Sequence, residues 1–349
     1  MHLRLLAVLV AIMMFAVACT GTGASPTADE SDEPEMSEAP AESAAAAGPE
    51  AWPDELVMGF VPSQEAEQLV EDIDALTVAL AAALSEEAGR DISVEGVVPS
   101  DYTGLVTAME ADQAHIGAFG PFSLLQAQDV AGAEIILQSA RDGSVTYHTQ
   151  WMTNDPDKYC EDEPEANEDG LLFCNGTLEA TEGPVGEEAI ASIESGTSVS
   201  FVEQASASGY IFPAVQLLDA GIDPVSGVEP IFSGGHDNSV IAVCNGDAEV
   251  GVSFNDARTI LEEGDCENMD NVVVFALSPE IPNDGVAVRG DLPEDLKQDI
   301  ADALIAYAET DEGKEVLDSV YEIDEFAPAD LEAFEIVRQA AEELGITSD

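Results

Sequence analysis

Residues 92–123 read ISVEGVVPSDYTGLVTAMEADQAHIGAFGPFS and contain the unit from which the fold is built. The run 92–98 predicts a strand. Pro99, Ser100, Asp101 and Tyr102 break it and open a helix that carries Leu105, Val106 and Met109 on one face. His115–Gly120 reads as the next strand, and Pro121 suits the first turn of a helix through Ser123 to Ala127. Strand, small or hydroxylated residues, helix, and strand again is the grammar of an α/β sheet with helices on its faces.

The same grammar extends in both directions. Upstream, ELVMGFV (55–61) is a strand, followed by a helix with Leu69, Ile73, Leu76, Leu80 and Leu84 on one face and a stop at Gly89. Downstream, EIILQSA (134–140) is a strand, and VTYHTQWMT (145–153) is one of mixed polarity. A second series follows: SVSFV (198–202) leads to a helix opened by Ser206–Gly209, and EPIF (229–232) to one opened by Gly234–Ser239. AEVGVSF (248–254) leads to Asn255 and Asp256. NVVVFAL (271–277) and DGVAV (284–288) carry the chain onward to a helical end with Leu296, Ile300, Leu304 and Tyr307 on one face. The expected architecture is α/β, with two Rossmann-like lobes joined by two crossing segments. Residues 51–145 form most of lobe 1 and 146–274 form lobe 2. Residues 275–349 form the return crossing and the rest of lobe 1.

The chain has 72 Asp and Glu against 9 Lys and Arg, a formal charge of -63, with 46% hydrophobic residues. The apolar content is that of a folded protein, and the acidity fits a solvated surface in a saline setting. With no basic stripe to neutralise phosphates, nucleic acid is excluded as a partner. The N-terminus carries one Arg, an apolar run from Leu5 to Val17, and then Ala18 and Cys19. Residues 1–18 therefore read as a signal peptide, too short to span a membrane comfortably. AVAC resembles a bacterial lipobox, which implies lipid attachment at Cys19 and a membrane contact through that anchor. Residues 19–50, rich in Ala, Glu, Asp, Ser and Pro, read as a disordered spacer.

Cys160, Cys174, Cys244 and Cys266 remain, an even number that in an exported chain implies disulfides with three possible connectivities. Pairing near neighbours is the simplest, and closing a loop of about 15 residues contributes about 3 kcal/mol in the chain-entropy model. No zinc spacing accompanies these cysteines, and the acidic stretches 161–169 and 262–270 read as solvated loops, so no metal or cofactor is expected.

In open α/β sheets ligands bind beyond the carboxyl ends of the strands. Here those junctions, PSDY, GPFS, SASG and GGHDNS, place small or hydroxylated residues at helix starts, where free N–H groups and the dipole favour an anion. The same residues also serve as ordinary N-caps. No GxSxG, P-loop or HExxH pattern is present, and a grouping of Ser208, His236 and Asp256 as a hydrolase triad lacks a supporting motif.

GFVPS (59–63), SDYTGLVTAMEADQAHIGAFGPFS (100–123), SASGY (206–210), FSGGHDNSVIAVCNGDAEVGVSFND (232–256) and SPEIPNDGVAV (278–288) together resemble the phosphate, phosphite and phosphonate-binding proteins of ABC importers. The likeness runs in order from Leu56 to Leu296. It implies a type II periplasmic-binding fold, a monomer that closes on a phosphorus oxyanion and delivers it to a permease. Carried over, Ser206, Ala207 and Ser208 would hold the oxyanion, and His236 would donate to it. Tyr102 would add a phenol, with Phe119 and Ser123 at the neighbouring helix start and Asp256 accepting a proton or facing an amine. Ala207 stands where the family often has Thr, and Phe119 where aminophosphonate binders have Tyr, which disfavours the larger aminophosphonates. His115 packs in its strand, and His148, on the crossing strand, either packs there or borders the cleft. Arg258, the one cation near the site, helps the anion or pairs with Asp256. The same fold tuned to a sulfonate or thiamine precursor, a secreted serine hydrolase and an adhesion scaffold are the competing readings.

Overall fold

The computed structural model describes residues 48–64, 66–262 and 264–347. The expected signal peptide, Cys19 and most of the acidic spacer lie outside the described residues. The spacer's last residues are not structureless: Pro49–Ala51 form a 3-10 turn, and Trp52 beyond it is buried.

The chain begins with strand β1 (Glu55–Phe60) and helix α1 (Ala66–Ala88), then β2 (Ser93–Val97), α2 (Tyr102–Glu110), β3 (Ile116–Phe119), α3 (Pro121–Ala131) and β4 (Ala133–Ala140). Helix α1 packs Ile73, Leu76, Leu80 and Leu84 into the core. It stops at Gly89, whose φ of +64° is the left-handed conformation that ends helices. Asp101 caps α2, accepting from the Gly104 N–H at 2.7 Å.

From β4 the chain crosses over through β5 (Thr146–Tyr147) to β6 (Thr149–Thr153), then α4 (Pro156–Tyr159), β7 (Glu165–Ala166), β8 (Leu172–Phe173), α5 (Glu187–Ala191) and β9 (Ser198–Phe201). A π-helical turn at Ala207–Ile211 runs into α6 (Phe212–Asp219), and β10 (Glu229–Phe232), α7 (His236–Asn245), β11 (Val250–Phe254) and β12 (Val273–Leu277) follow. The return passes through β13 (Ile281–Pro282) to β14 (Gly285–Arg289), α8 (Glu294–Ala308), α9 (Asp311–Tyr321), β15 (Glu325–Pro328) and α10 (Glu335–Glu343).

Two sheets result. The first has the order β15-β4-β14-β3-β1-β2 and the second β10-β9-β11-β6-β12-β8-β7. Strands β1, β2 and β3 are parallel, as are β9, β10 and β11. The sheets are nevertheless mixed: β14 lies antiparallel between β3 and β4, and β6 antiparallel between β11 and β12. The strands that carry the chain between sheets enter from the opposite end, which reverses their direction. Both crossings meet in the two-stranded ribbon β5–β13. The second sheet ends at Leu277, so the boundary expected at 274 falls inside β12.

The expected single strand 145–153 is broken at His148. Its N–H donates to Asn255 Oδ1 at 2.7 Å, and the Thr149 N–H donates to Ser278 Oγ at 2.8 Å, so side chains replace a strand ladder there. Disulfides join Cys160 to Cys174 and Cys244 to Cys266. The first closes the segment holding β7 and β8, where an Asn167-centred turn stands in for an apolar core.

Candidate functional site

The carboxyl ends of β1, β2, β3, β9 and β10 face the crossings, and together with the end of α9 they enclose a cavity of about 110 Å³. Tyr102, Phe119, Ser206, Ala207, Ser208 and His236 all line it.

The 206–211 segment is shaped by close packing. A Cβ on Gly209 would lie 2.4 Å from Val202 Cβ and 2.7 Å from Ser206 Oγ, so only glycine lets the chain turn this tightly. The Gly209 N–H donates to Ser206 Oγ at 3.1 Å, and the Tyr210 and Ile211 N–H groups both reach the Ser206 carbonyl. That leaves the Ala207 amide at the start of the turn to face a ligand, while the Ser208 N–H meets the Tyr147 hydroxyl. Thr149 Oγ1 donates to the Ser208 carbonyl at 3.0 Å and fixes the turn to β6. The Tyr102 hydroxyl meets the Ser206 side chain, and the Tyr147 hydroxyl meets Ser208. Burial pushes both phenols well above their ordinary range, so both remain protonated donors.

His236, the first residue of α7, is almost fully buried. Its Nδ1 lies 2.9 Å from Ser253 Oγ and accepts from the Phe254 N–H at 3.4 Å. The proton therefore sits on Nε2, 3.5 Å from Ser206 Oγ. Burial lowers its pKa to about 3, so the ring is a neutral donor across the physiological range.

Two expected site residues lie elsewhere. Asp256 is not on the cavity wall; its carboxylate pairs with Arg258 at 2.5 Å, while neighbouring Asn255 lines the cavity instead. Ser123 is wholly buried behind the wall and donates to the Gly120 carbonyl at 3.0 Å. Arg258 is structural: besides Asp256 it donates to the Leu172 and Val272 carbonyls and lies over the Phe173 ring. Of its two readings, pairing with Asp256 is the one observed. His148 does not line the cavity either; its Nδ1 sits 3.0 Å from the Ser278 carbonyl. His115 accepts from the Val57 N–H at 3.1 Å and packs beside β1, as expected.

Ser63 and Gln64 line the wall from the β1–α1 junction, and several other wall residues carry no helix-start signature: Arg141, Tyr147, Asp284, Tyr321 and Glu322. Arg141, not Arg258, is the cation at the cavity, and its Nη1 pairs with Asp284 Oδ1 at 2.7 Å. Tyr147 lies in β5 and Asp284 just after β13, and Tyr321 ends α9, its hydroxyl donating to the Val61 carbonyl at 2.7 Å. The available signal was an aromatic and an acid on the two crossing segments, where any two-lobed fold must bring the chain past its cleft. The cavity thus offers many directed neutral donors and one arginine already engaged by a carboxylate.

The family model described as ABC transporter, phosphonate, periplasmic substrate-binding protein matches residues 58–334. The chain is 26% identical over 277 residues to the phosphate-import protein PhnD of Mycolicibacterium smegmatis, covering 76% of this chain and 70% of that protein. It is 25% identical over 228 residues to the phosphonates-binding periplasmic protein of Escherichia coli, covering 65% of this chain and 60% of that one. The fold is that of PhnD1 from Prochlorococcus marinus in complex with methylphosphonate, with TM-score 0.66 and 17% identity, over 84% of this chain and 98% of that structure.

Proposed function

The chain belongs to the periplasmic substrate-binding proteins of phosphonate ABC transporters, and from that premise we propose that it closes its lobes on a small phosphorus oxyanion seated at Ser206–Ser208. The supporting observation is the convergence of Ser206, Ser208, Tyr102, Tyr147 and His236 on one cavity from both sheets and a crossing segment. Hydroxyls, a first-turn amide and a neutral imidazole can encircle an oxyanion with hydrogen bonds, each stronger for being made to a charged acceptor. No free cation is required.

The same geometry favours binding over catalysis. With Nδ1 accepting from the Phe254 N–H, His236 Nε2 faces Ser206 as a donor, the reverse of the proton abstraction a hydrolase would need. The protein works outside the cytoplasmic membrane, as its family does, and among the described residues no helix is long and apolar enough to cross a membrane. A lipid on Cys19 would then hold the monomer beside its permease, with lobes divided near residues 145 and 277.

Calorimetric titration of the mature domain with phosphite, phosphate, methylphosphonate and 2-aminoethylphosphonate tests this. Saturable heat with at least one ligand is expected; none from all four would overturn the assignment.

A further inference from the structure

Asp284 stands beside the anion seat, close enough to raise the phenol pKa values of Tyr102, Tyr147 and Tyr321, three hydroxyls that line the cavity. Its place is fixed by backbone bonds: its carbonyl accepts from the Ser139 N–H at 2.9 Å and from Ser139 Oγ at 3.2 Å. A bare carboxylate there would repel the oxyanion the seat is built for and attract an ammonium group. Arg141 prevents this. Its guanidinium is clamped by Nε and Nη2 bonds to the Tyr321 carbonyl at 3.1 and 2.7 Å, and Nη1 reaches both Ser139 Oγ at 3.1 Å and Asp284 Oδ1 at 2.7 Å. Clamped in this way, the arginine keeps its charge on the carboxylate without a large entropic cost. Of the other acids near the seat, Asp256 is likewise paired with an arginine, and burial raises the pKa of Glu203, which faces Tyr102, to about 7. On the wall itself, Asp318 is exposed, and Glu322 accepts from Thr259 Oγ1 and also lies in the field of Arg141.

We propose that Arg141 sets the charge of the accepted ligand: by neutralising Asp284 it reserves the cavity for phosphorus oxyanions that carry no cationic group, such as methylphosphonate, phosphite or phosphate. This rests on the functional reading above and adds the ligand class to it. Arg141 is a positioning residue that acts through Asp284.

The test is a titration of methylphosphonate and 2-aminoethylphosphonate into the wild type, Arg141→Gln, Arg141→Lys and Asp284→Asn, with melting curves for each. Wild type is expected to favour methylphosphonate by tenfold or more. Arg141→Gln, which bares the carboxylate, should shift that ratio at least tenfold toward the aminophosphonate, and Arg141→Lys should restore it. Asp284→Asn, which bares the guanidinium, should shift the ratio the other way. Because the two neutralising changes have opposite signs, the Asn variant alone decides the matter if the Gln variant does not fold. A wild-type preference for 2-aminoethylphosphonate, or equal weakening of both ligands in every variant, would overturn the proposal alone. Heat from neither ligand in the wild type, with phosphite and phosphate also silent, would overturn the functional reading and this proposal with it.

Discussion

The backbone N–H of His236 donates to the carbonyl oxygen of Ser63 at 2.9 Å, tying the first turn of α7 to the loop that follows β1 in the other lobe. The same loop is held from behind, because Gln64 Nε2 donates to the Val320 carbonyl at 3.0 Å and the Tyr321 hydroxyl to the Val61 carbonyl at 2.7 Å. The 61–64 loop is thus a clasp, fixed to α9 on one side and closing on α7 on the other.

Gln64→Ala should loosen that clasp. The expected result is a severalfold faster ligand release with little change in association, since affinity differences among variants of one site lie mostly in the off-rate. Stopped-flow displacement would measure it, and an unchanged off-rate would mean that the loop needs no support from α9.

Ser206→Ala and Ser208→Ala should each weaken oxyanion binding about 10- to 100-fold, because a hydrogen bond to a charged group contributes about 1.5–3 kcal/mol. They should differ in stability. Ser206 Oγ also caps Gly209, so its loss should cost about 1 kcal/mol in addition and lower the melting temperature further than Ser208→Ala, which removes only the contact with the Tyr147 hydroxyl. Calorimetry paired with thermal melts separates the two roles.

His236 and Glu203 should give the fold opposing responses to pH. Burial holds the His236 pKa near 3 against an ordinary 6.5, so between those values the unfolded chain binds a proton that the folded one does not. Stability is therefore lost as pH falls below about 6.5, by at most about 1.4 kcal/mol per unit, and His236→Gln should flatten that slope. Glu203 behaves in reverse. Burial, then the charge of Asp101, raises its pKa to about 7 from 4.5. Its protonated form suits the fold, so its contribution is full below about 4.5 and lost as pH rises through 7. Glu203→Gln should stabilise the protein at pH 8 and leave it unchanged at pH 4. Urea titrations across that range would show both effects.

Arg258→Met should lower stability by about 3–5 kcal/mol, because it strands the partly buried Asp256 carboxylate and the Leu172 and Val272 carbonyls. The ratio of methylphosphonate to 2-aminoethylphosphonate affinity should not move. A changed ratio in a folded variant would show that Arg258 reaches the ligand electrostatically after all.

Features with local causes were legible in the sequence. Leu76, Leu80 and Leu84 are buried where helical spacing places them, Asp101 caps α2, and Ser206, Ser208 and His236 stand at strand-to-helix junctions on one cavity. What sequence order hides was missed. Arg141 meets Asp284 only because the two crossings lie side by side, and Tyr321 reaches Val61 across 260 positions. Asp256 follows β11 as expected, yet the turn beyond β11 brings it onto Arg258, two residues on, and away from the wall. The π-helical turn at 207–211 accompanies a close approach of Gly209 to Val202 that no periodicity signals.

The position of β14 between β3 and β4 has a consequence for biogenesis. A chain that emerges N-terminus first makes β1 to β4 early, but the strand that joins β3 to β4 is made only after the whole second sheet. Until then both strands present unpaired edges, the kind of surface that invites aggregation and slows folding. The cleft wall is later still, since the 61–64 loop gains its support from α9 only once Asp318–Glu322 arrive. A truncation before residue 322 therefore keeps the Ser206–Ser208 seat but removes the part of the wall that α9 supplies.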